Sequence, residues 1–451
     1  MHILVINGSP KGENSITLQT VRYLEKVYPA HTFEVLHAGQ RIKALEKDFS
    51  PALEMVRRCD LLLFAYPVYT FIAPSQLHRF IELLKASGAD LRGKFSTQIT
   101  TSKHFYDVTA HRYIQENCQD MGMKVIRGLS ADMDDLLCEK GRREARDFFE
   151  YACFCMEQDV FEPYVSEVCM PKHVPVTPVC ADTIEKPGDV VIVTDCEPDN
   201  VQLSAMIARF RAVLPLKSRV INIREYPMRG GCLGCFHCAV SGKCVYTDGF
   251  DEFLRNDIQK TQAIVYAFTI RDHSMGAVFK QYDDRQFCNG HRTVTMGMPM
   301  GYLVSGDYSR EMNLQAIIEG RAQVGGNFLA GVATDEQESD AQIDRLAKSL
   351  AYAIEHSYVP PQNFYGVGGM KVFRDLIWIM QGMMKADHQF YKAQGQYDFP
   401  QKQWKTMLKM YLVGALLASP KIQKKMGSAM TEGMLAPYKK VLLQAEQQNN
   451  A

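Results

Sequence analysis

At 451 residues the chain is long enough for two or three domains. Lys+Arg and Asp+Glu number 51 each, which excludes the basic footprint of a nucleic-acid binder, and 46% hydrophobic content excludes a disordered chain. No apolar run approaches the ~20 residues of a membrane span, and no basic, cleavable leader precedes the first apolar run, so a cytoplasmic location without a membrane span is expected.

Ile3–Ile6 form an apolar run without alternation, the pattern of a strand buried on both faces. Asn7-Gly8-Ser9-Pro10-Lys11-Gly12-Glu13-Asn14-Ser15 follows, a loop of turn formers and hydroxyls that ends where Asn14 or Ser15 can cap a helix carrying Ile16, Val21 and Leu24. Strand, small-residue loop and helix N-terminus together make an anion site, to which Ser9, Ser15 and Thr17 add hydroxyl donors. The loop is neither a Walker A nor a G-x-G-x-x-G sequence. Further strands are expected at 33–36, 59–65, 95–101 and 123–126, alternating with helices, which predicts a parallel doubly wound sheet. Ligands of such sheets sit at the C-terminal strand ends, here the loops Ser9–Thr17, Tyr66–Phe71 and Thr100–Asp107.

The series GSPKGENS, YPVYTFIAPSQLHRFIE and TTSKHFYD resembles the flavodoxin-like NAD(P)H-dependent FMN reductases and quinone reductases. The resemblance implies that Ser9, Lys11, Asn14, Ser15 and Thr17 hold the FMN phosphate. It places Pro67, Val68, Tyr69, Thr70 and Phe71, with Thr101, Ser102 and Lys103, around the isoalloxazine ring. Catalytic groups are not fixed by it; His104, Tyr106 and Asp107 are candidates for proton transfer.

Residues 158–187 hold five prolines and no periodicity, as in a linker or a surface strap. The pattern then begins again. Asp189–Val193 parallels Ile3–Ile6, Arg219–Ile223 parallels Phe33–Leu36, and Ala263–Ala267 parallels Leu61–Ala65. Strands near 300–304 and 328–332 and a helix over 340–356 complete a second unit. Its first loop, Thr194–Asn200, carries Asp195, Glu197 and Asp199 where a phosphate would be repelled. Its second, Thr269–Ser274, lacks the aromatic-proline wall, so this nucleotide site is expected to be degenerate.

Nine of the thirteen cysteines (59, 118, 138, 153, 155, 169, 180, 196 and 288) are scattered and are expected to be small core or loop hydrophobes. Cys232, Cys235, Cys238 and Cys244 form a C-x2-C-x2-C-x5-C cluster, inserted where the second copy departs from the spacing of the first. Soft thiolates select iron–sulfur or zinc. Three cysteines at two-residue spacing are the iron–sulfur pattern, and zinc and free redox-active thiols are the alternatives. The loop resembles the compact motif of the iron–sulfur flavoproteins, whose [4Fe–4S] cluster approaches the FMN of a neighbouring subunit. A tandem fusion keeping the flavin loops in one copy and the cysteines in the other would bring both cofactors together in one chain.

The expected architecture is therefore α/β. It comprises a flavodoxin-like FMN domain (1–157), a Pro-rich linker (158–187), a second flavodoxin-like domain (188–357) and a helical extension (358–451), with five strands in each sheet. The extension carries Met-rich helical segments at 377–384, 404–417 and 426–443, suited to packing across the domains or to a homo-oligomer. The function implied is an FMN-dependent NAD(P)H oxidoreductase. It would pass electrons from a reduced nicotinamide through FMN and a [4Fe–4S] cluster to a quinone-like or protein acceptor. The alternatives are a cluster-free quinone, azo or nitro reductase with structural cysteines, and an electron carrier or redox sensor.

Overall fold

A computed structural model of the chain describes residues 1–162, 171–179, 186–397 and 404–417. Residues Met1–Phe390 form one compact unit and Tyr391–Ala451 a second. The first unit contains two parallel sheets, each of which, with its flanking helices, is called a domain.

The first sheet is built from β1 (His2–Asn7), β2 (Thr32–Leu36), β3 (Leu61–Pro67), β4 (Phe95–Ser102), β5 (Lys124–Val125) and β6 (Leu129–Asp132), in the order β2-β1-β3-β4-β5, with β6 also on β4. Its helices are α1 (Ile16–Val27), α2 (Ala38–Leu45), α3 (Ser50–Arg58), α4 (Ser75–Ala86), α5 (Asp107–Asp120) and α6 (Glu139–Gln158). The sheet has six strands and not the expected five, because the last strand is split. Ser96 faces Val125 and Ile99 faces Leu129, so three steps of β4 are matched by four of its partner. The extra residue is accommodated at Gly128, where a Cβ would lie 2.5 Å from the Gln98 carbonyl oxygen.

The second sheet repeats the arrangement with β7 (Val190–Thr194), β8 (Ser218–Asn222), β9 (Ala263–Thr269), β10 (Pro299–Ser305) and β11 (Phe328–Thr334), in the order β11-β10-β9-β7-β8. Helix α7 (Val201–Val213) follows β7. Between β8 and β9 lies the cysteine insertion, with the short α8 (His237–Ser241) and α9 (Phe250–Phe253). Then come α10 (Gly276–Arg285), α11 (Met312–Gly325) and α12 (Ser339–His356). Both sheets have strands buried on both faces, as the unbroken apolar runs predict; Ile3–Ile6 and Val190–Val193 are all 0% exposed.

Helices α4 and α10, the equivalent helices of the two domains, pack together and cap each other's first turns. The Ser75 backbone N–H donates to Asp284 of α10 (2.7 Å), and the Ala277 N–H donates to Glu82 of α4 (2.7 Å). Neither helix has a side-chain cap of its own, so each acquires an anion at its positive end from the other domain.

Of the linker, residues 163–170 and 180–185, with Cys169 and Cys180, lie outside the described residues. The stretch 171–179 runs along the second domain. Its Val176 is buried in that domain's core, the Val174 N–H donates to the Asp335 carbonyl (2.9 Å), and the Thr177 N–H donates to Asp340 (3.0 Å). The extension, expected from 358, begins with α13 (Phe364–Ile379), which packs on α11 and is capped by Asn363 through the Tyr365 N–H. The helix expected at 377–384 is not formed as such, because α13 ends at Ile379 and the chain turns at 380–384 before the next helix. Helices α14 (Lys385–Ala393) and α15 (Trp404–Leu417) follow. The helix expected at 426–443 lies outside the described residues. No helix among the described residues is long and apolar enough to cross a membrane.

Candidate functional site

The C-terminal edge of the first sheet opens into a cavity of about 400 Å³. Twelve of the thirteen sequence-predicted cofactor residues line it; only Asn14 does not, being exposed in a 3-10 turn at Gly12–Asn14. Ser15 caps α1, its hydroxyl accepting from the Leu18 N–H at 3.4 Å, so the positive end of α1 faces the cavity. Asn7 holds the loop, accepting from the Ser9 N–H (3.1 Å) while its amide donates to the Gly12 carbonyl (2.9 Å). Sequence reasoning passed over Asn7 because a polar residue ending a buried strand carries no motif.

The second loop is a tight turn closed by reciprocal backbone bonds between Tyr69 and Ile72 (2.7 and 3.1 Å), with Thr70 at φ 45° and Phe71 at φ 74°. Two successive non-glycine residues in the left-handed region are strained, and contacts from the second domain hold them there. Fully buried Lys280 donates to the Tyr69 carbonyl (3.2 Å) and to the Thr70 hydroxyl, which itself donates to Asp284 (3.1 Å). The second domain has the same turn at Arg271–Ser274, with Asp272 and His273 left-handed, propped by the first domain through Asn117, Lys85 and Asp120.

Thr17 Oγ1, Thr101 Oγ1 and Ser102 Oγ are buried without a hydrogen-bond partner, and all three residues line the cavity. Orphaned hydroxyls at the helix end and along the wall fit a ligand with a phosphate at one end and a polar-edged ring at the other. Lys103 lies against Asp132 (2.6 Å) and Asp134 (3.1 Å); burial opposes its charge, but the two carboxylates outweigh burial and raise its pKa.

Cys232, Cys235, Cys238 and Cys244 line the same cavity. The insertion reaches across to the first domain: Lys43 donates to the Arg229 carbonyl (2.6 Å), and Gln76 donates to the Cys232 carbonyl (3.4 Å). Lys11 of the phosphate loop lies 5.6 Å from the Phe236 ring centre. Gly234, at φ 59°, sits so close to the Tyr69 hydroxyl that a Cβ would lie 1.9 Å from it. Burial pushes the Cys232 thiol up and that of Cys238 to about 11. Among the described residues, no three of the four sulfurs lie within 4.8 Å of one another.

Cys288, expected as a small core hydrophobe, is buried in the second core and also lines the cavity near Cys238 and Cys244, with its thiol pushed up to about 12 by burial. Its place beside them arises through the fold, 44 residues beyond Cys244. The candidates His104, Tyr106 and Asp107 do not line the cavity. His104 and Asp107 bond each other and Ser130, and Tyr106 packs on Phe71 with its hydroxyl buried against Gly320.

At the corresponding strand ends of the second sheet the carboxylates are engaged within the protein. His173 of the strap bridges Asp307 (2.6 Å) and Asp335 (3.0 Å), and Glu197 is paired with Arg224 (2.9 Å) and Arg271 (2.8 Å). Burial raises the pKa of Asp195 at these strand ends to about 6.

Residues 1–133 match the family of NADPH-dependent FMN reductases. Among solved structures, the chain is similar to an NADPH-quinone reductase from P. pentosaceus (16% identity over 34% of this chain and 98% of that one, TM-score 0.28). It is also similar to an NAD(P)H:quinone oxidoreductase from Methanothermobacter marburgensis (13%, 37% and 99%, TM-score 0.27) and an FMN-dependent NADH-azoreductase from Bacillus anthracis (12%, 36% and 100%, TM-score 0.27). No curated protein matches the chain. The loops Ser9–Thr17 and Pro67–Phe71 and the orphaned hydroxyls of Thr17, Thr101 and Ser102 all lie inside the segment, residues 1–133, that matches the NADPH-dependent FMN reductase family.

Proposed function

We propose that this chain passes electrons from a reduced nicotinamide to a quinone-like or protein acceptor, with FMN in the first domain and a [4Fe–4S] cluster on Cys232, Cys235, Cys238 and Cys244. The observation that carries the reading is the common cavity lined by the flavin loops and all four cysteines. FMN, when bound, supplies hydride acceptance and release of electrons singly or in pairs; the cluster supplies one-electron relay.

The residues of the chain prepare the site for that chemistry. Ser9, Lys11, Ser15 and Thr17 hold the phosphate at the α1 N-terminus. Pro67–Phe71 form one wall of the ring site, and Thr101 and Ser102 offer hydroxyls to the ring's polar edge. Lys280 and Asp284 of the second domain keep the strained Thr70–Phe71 turn in place, so the ring wall is pre-formed. Tyr69 lies between the two cofactor sites, against Gly234. The second domain contributes the cysteines and no nucleotide, the carboxylates at its own strand ends being engaged by His173 and by internal ion pairs.

Anaerobic oxidation of NADH and NADPH, followed with a benzoquinone present, tests the proposal. Wild type turns over with at least one nicotinamide, and Cys235→Ser keeps its flavin while losing iron and slowing transfer to a one-electron acceptor. Wild-type protein that binds flavin and shows no steady-state turnover is a carrier, and iron-free wild type is a cluster-free reductase; either result overturns this reading.

A further inference from the structure

Arg321, on α11 of the second domain, lines the cavity beside Tyr266 of β9 and Tyr302 of β10, whose ring centres are 5.3 Å apart. Its guanidinium lies 6.0 Å from the centre of the Phe71 ring in the flavin ring loop. Its side chain is 18% exposed, and Nη1 is ion-paired with Oδ1 of Asp283, while Lys280 lies 3.3 Å from the other oxygen of Asp283 and has Asp284 as its nearer partner. A guanidinium carries five N–H donors, and donors removed from water without acceptors are costly until an acceptor arrives. The two phenols beside it are held protonated by burial, Tyr266 up to about 12, so both are donors at neutral pH. The rest of this end of the cavity is flat and aromatic. Phe71 packs on Phe105 (5.0 Å between ring centres), Phe105 on Phe373 of α13 (4.5 Å), and Phe287 lies 5.9 Å from Tyr69.

We propose that Arg321, Tyr266 and Tyr302 form an oxyanion subsite that selects an electron acceptor bearing a carboxylate or an ionised phenol beside a planar ring. The proposal rests on the reading of the adjacent loops as the flavin site, because that places the subsite next to the reacting ring. Asp283 ties Arg321 to α10 through Nη1, and because a guanidinium carries five N–H donors, one ion pair leaves others to offer a ligand in the cavity. The guanidinium is fixed, partly desolvated and flanked by two phenol donors, so an oxyanion gains charge-assisted hydrogen bonds there that a neutral isostere does not.

The test is calorimetric titration of FMN-saturated protein, and of the protein without added FMN, with 2-naphthoate and 2-naphthamide, which share a ring and differ in charge. Wild type binds naphthoate roughly ten- to a hundred-fold more tightly than the amide. Arg321→Gln abolishes that preference, Arg321→Lys keeps part of it, and all three proteins hold the same FMN per chain. Tyr302→Phe, which removes one hydroxyl, lowers the preference several-fold and keeps the test readable if Arg321→Gln does not fold. Equal affinity of wild type for the two probes overturns the proposal, as does loss of FMN in Arg321→Gln, which would assign the arginine to the flavin itself. Failure of wild type to bind FMN refutes the flavin reading instead, and the naphthoate preference of the protein without added FMN then reports on the subsite alone.

Discussion

Thr17, Thr101 and Ser102 are informative because their hydroxyls are buried and unpartnered. Replacing such a group by a methyl is nearly neutral for the protein alone and costly for a ligand that would have bonded it. Thr17→Val should therefore weaken FMN binding by about tenfold or more in a fluorescence-quenching titration, while the melting temperature of the flavin-free protein stays the same or rises. A lower melting temperature with unchanged FMN affinity would mean the hydroxyl serves the fold.

Glu116 carries a different prediction. It lies on α5 near His273 and Glu311, with Oε2 buried and unpartnered, and burial raises its pKa from 4.5 to about 7. Between those values the folded state holds a proton that the unfolded state has lost, so this group's contribution to stability falls as pH rises from about 4.5 through 7. Glu116→Gln should remove that fall and stabilise the protein at pH 8 by on the order of 2 kcal/mol. Urea denaturation at pH 5 and pH 8 measures it; a variant with the same pH slope as wild type would contradict it.

The elements explain which parts of the fold were legible in the sequence. Ile3–Ile6 and Asp189–Val193 announced both parallel sheets because a strand buried on two faces leaves no alternation. The loops that line the cavity were legible because their residue types follow those strands directly. The sixth strand was not, because the offset at Gly128 breaks a short edge strand and periodicity cannot register one extra residue. The reciprocal capping of α4 and α10 was equally hidden. Asp284 and Glu82 read as ordinary helix-surface acids, and only packing makes them caps. Asp284→Ala would leave Lys280, 0% exposed, with Asp283 alone and would uncap α4, at a cost of about 3–5 kcal/mol in urea denaturation. A loss below about 1 kcal/mol would show that the interface does not depend on this carboxylate.

At the scale of the whole molecule, the two sheets share one strand order, and the site is divided unequally between them. The first domain lines the cavity with the loops Ser9–Thr17, Pro67–Phe71 and Thr101–Lys103; the second lines it with four cysteines and Arg321 and braces the Tyr69–Ile72 turn through Lys280. This division was only partly readable from the chain. The cysteine spacing marked the insertion, whereas its meeting with the loops of the first sheet depends on packing that no local pattern encodes.

The most direct test of the account is a visible spectrum and iron analysis of protein purified anaerobically, with Cys235→Ser alongside. The account predicts flavin bands, a broad iron–sulfur absorbance, and about four irons per chain. Iron and that absorbance should vanish together in the variant while the flavin remains. Wild-type protein without flavin bands would contradict its central claim.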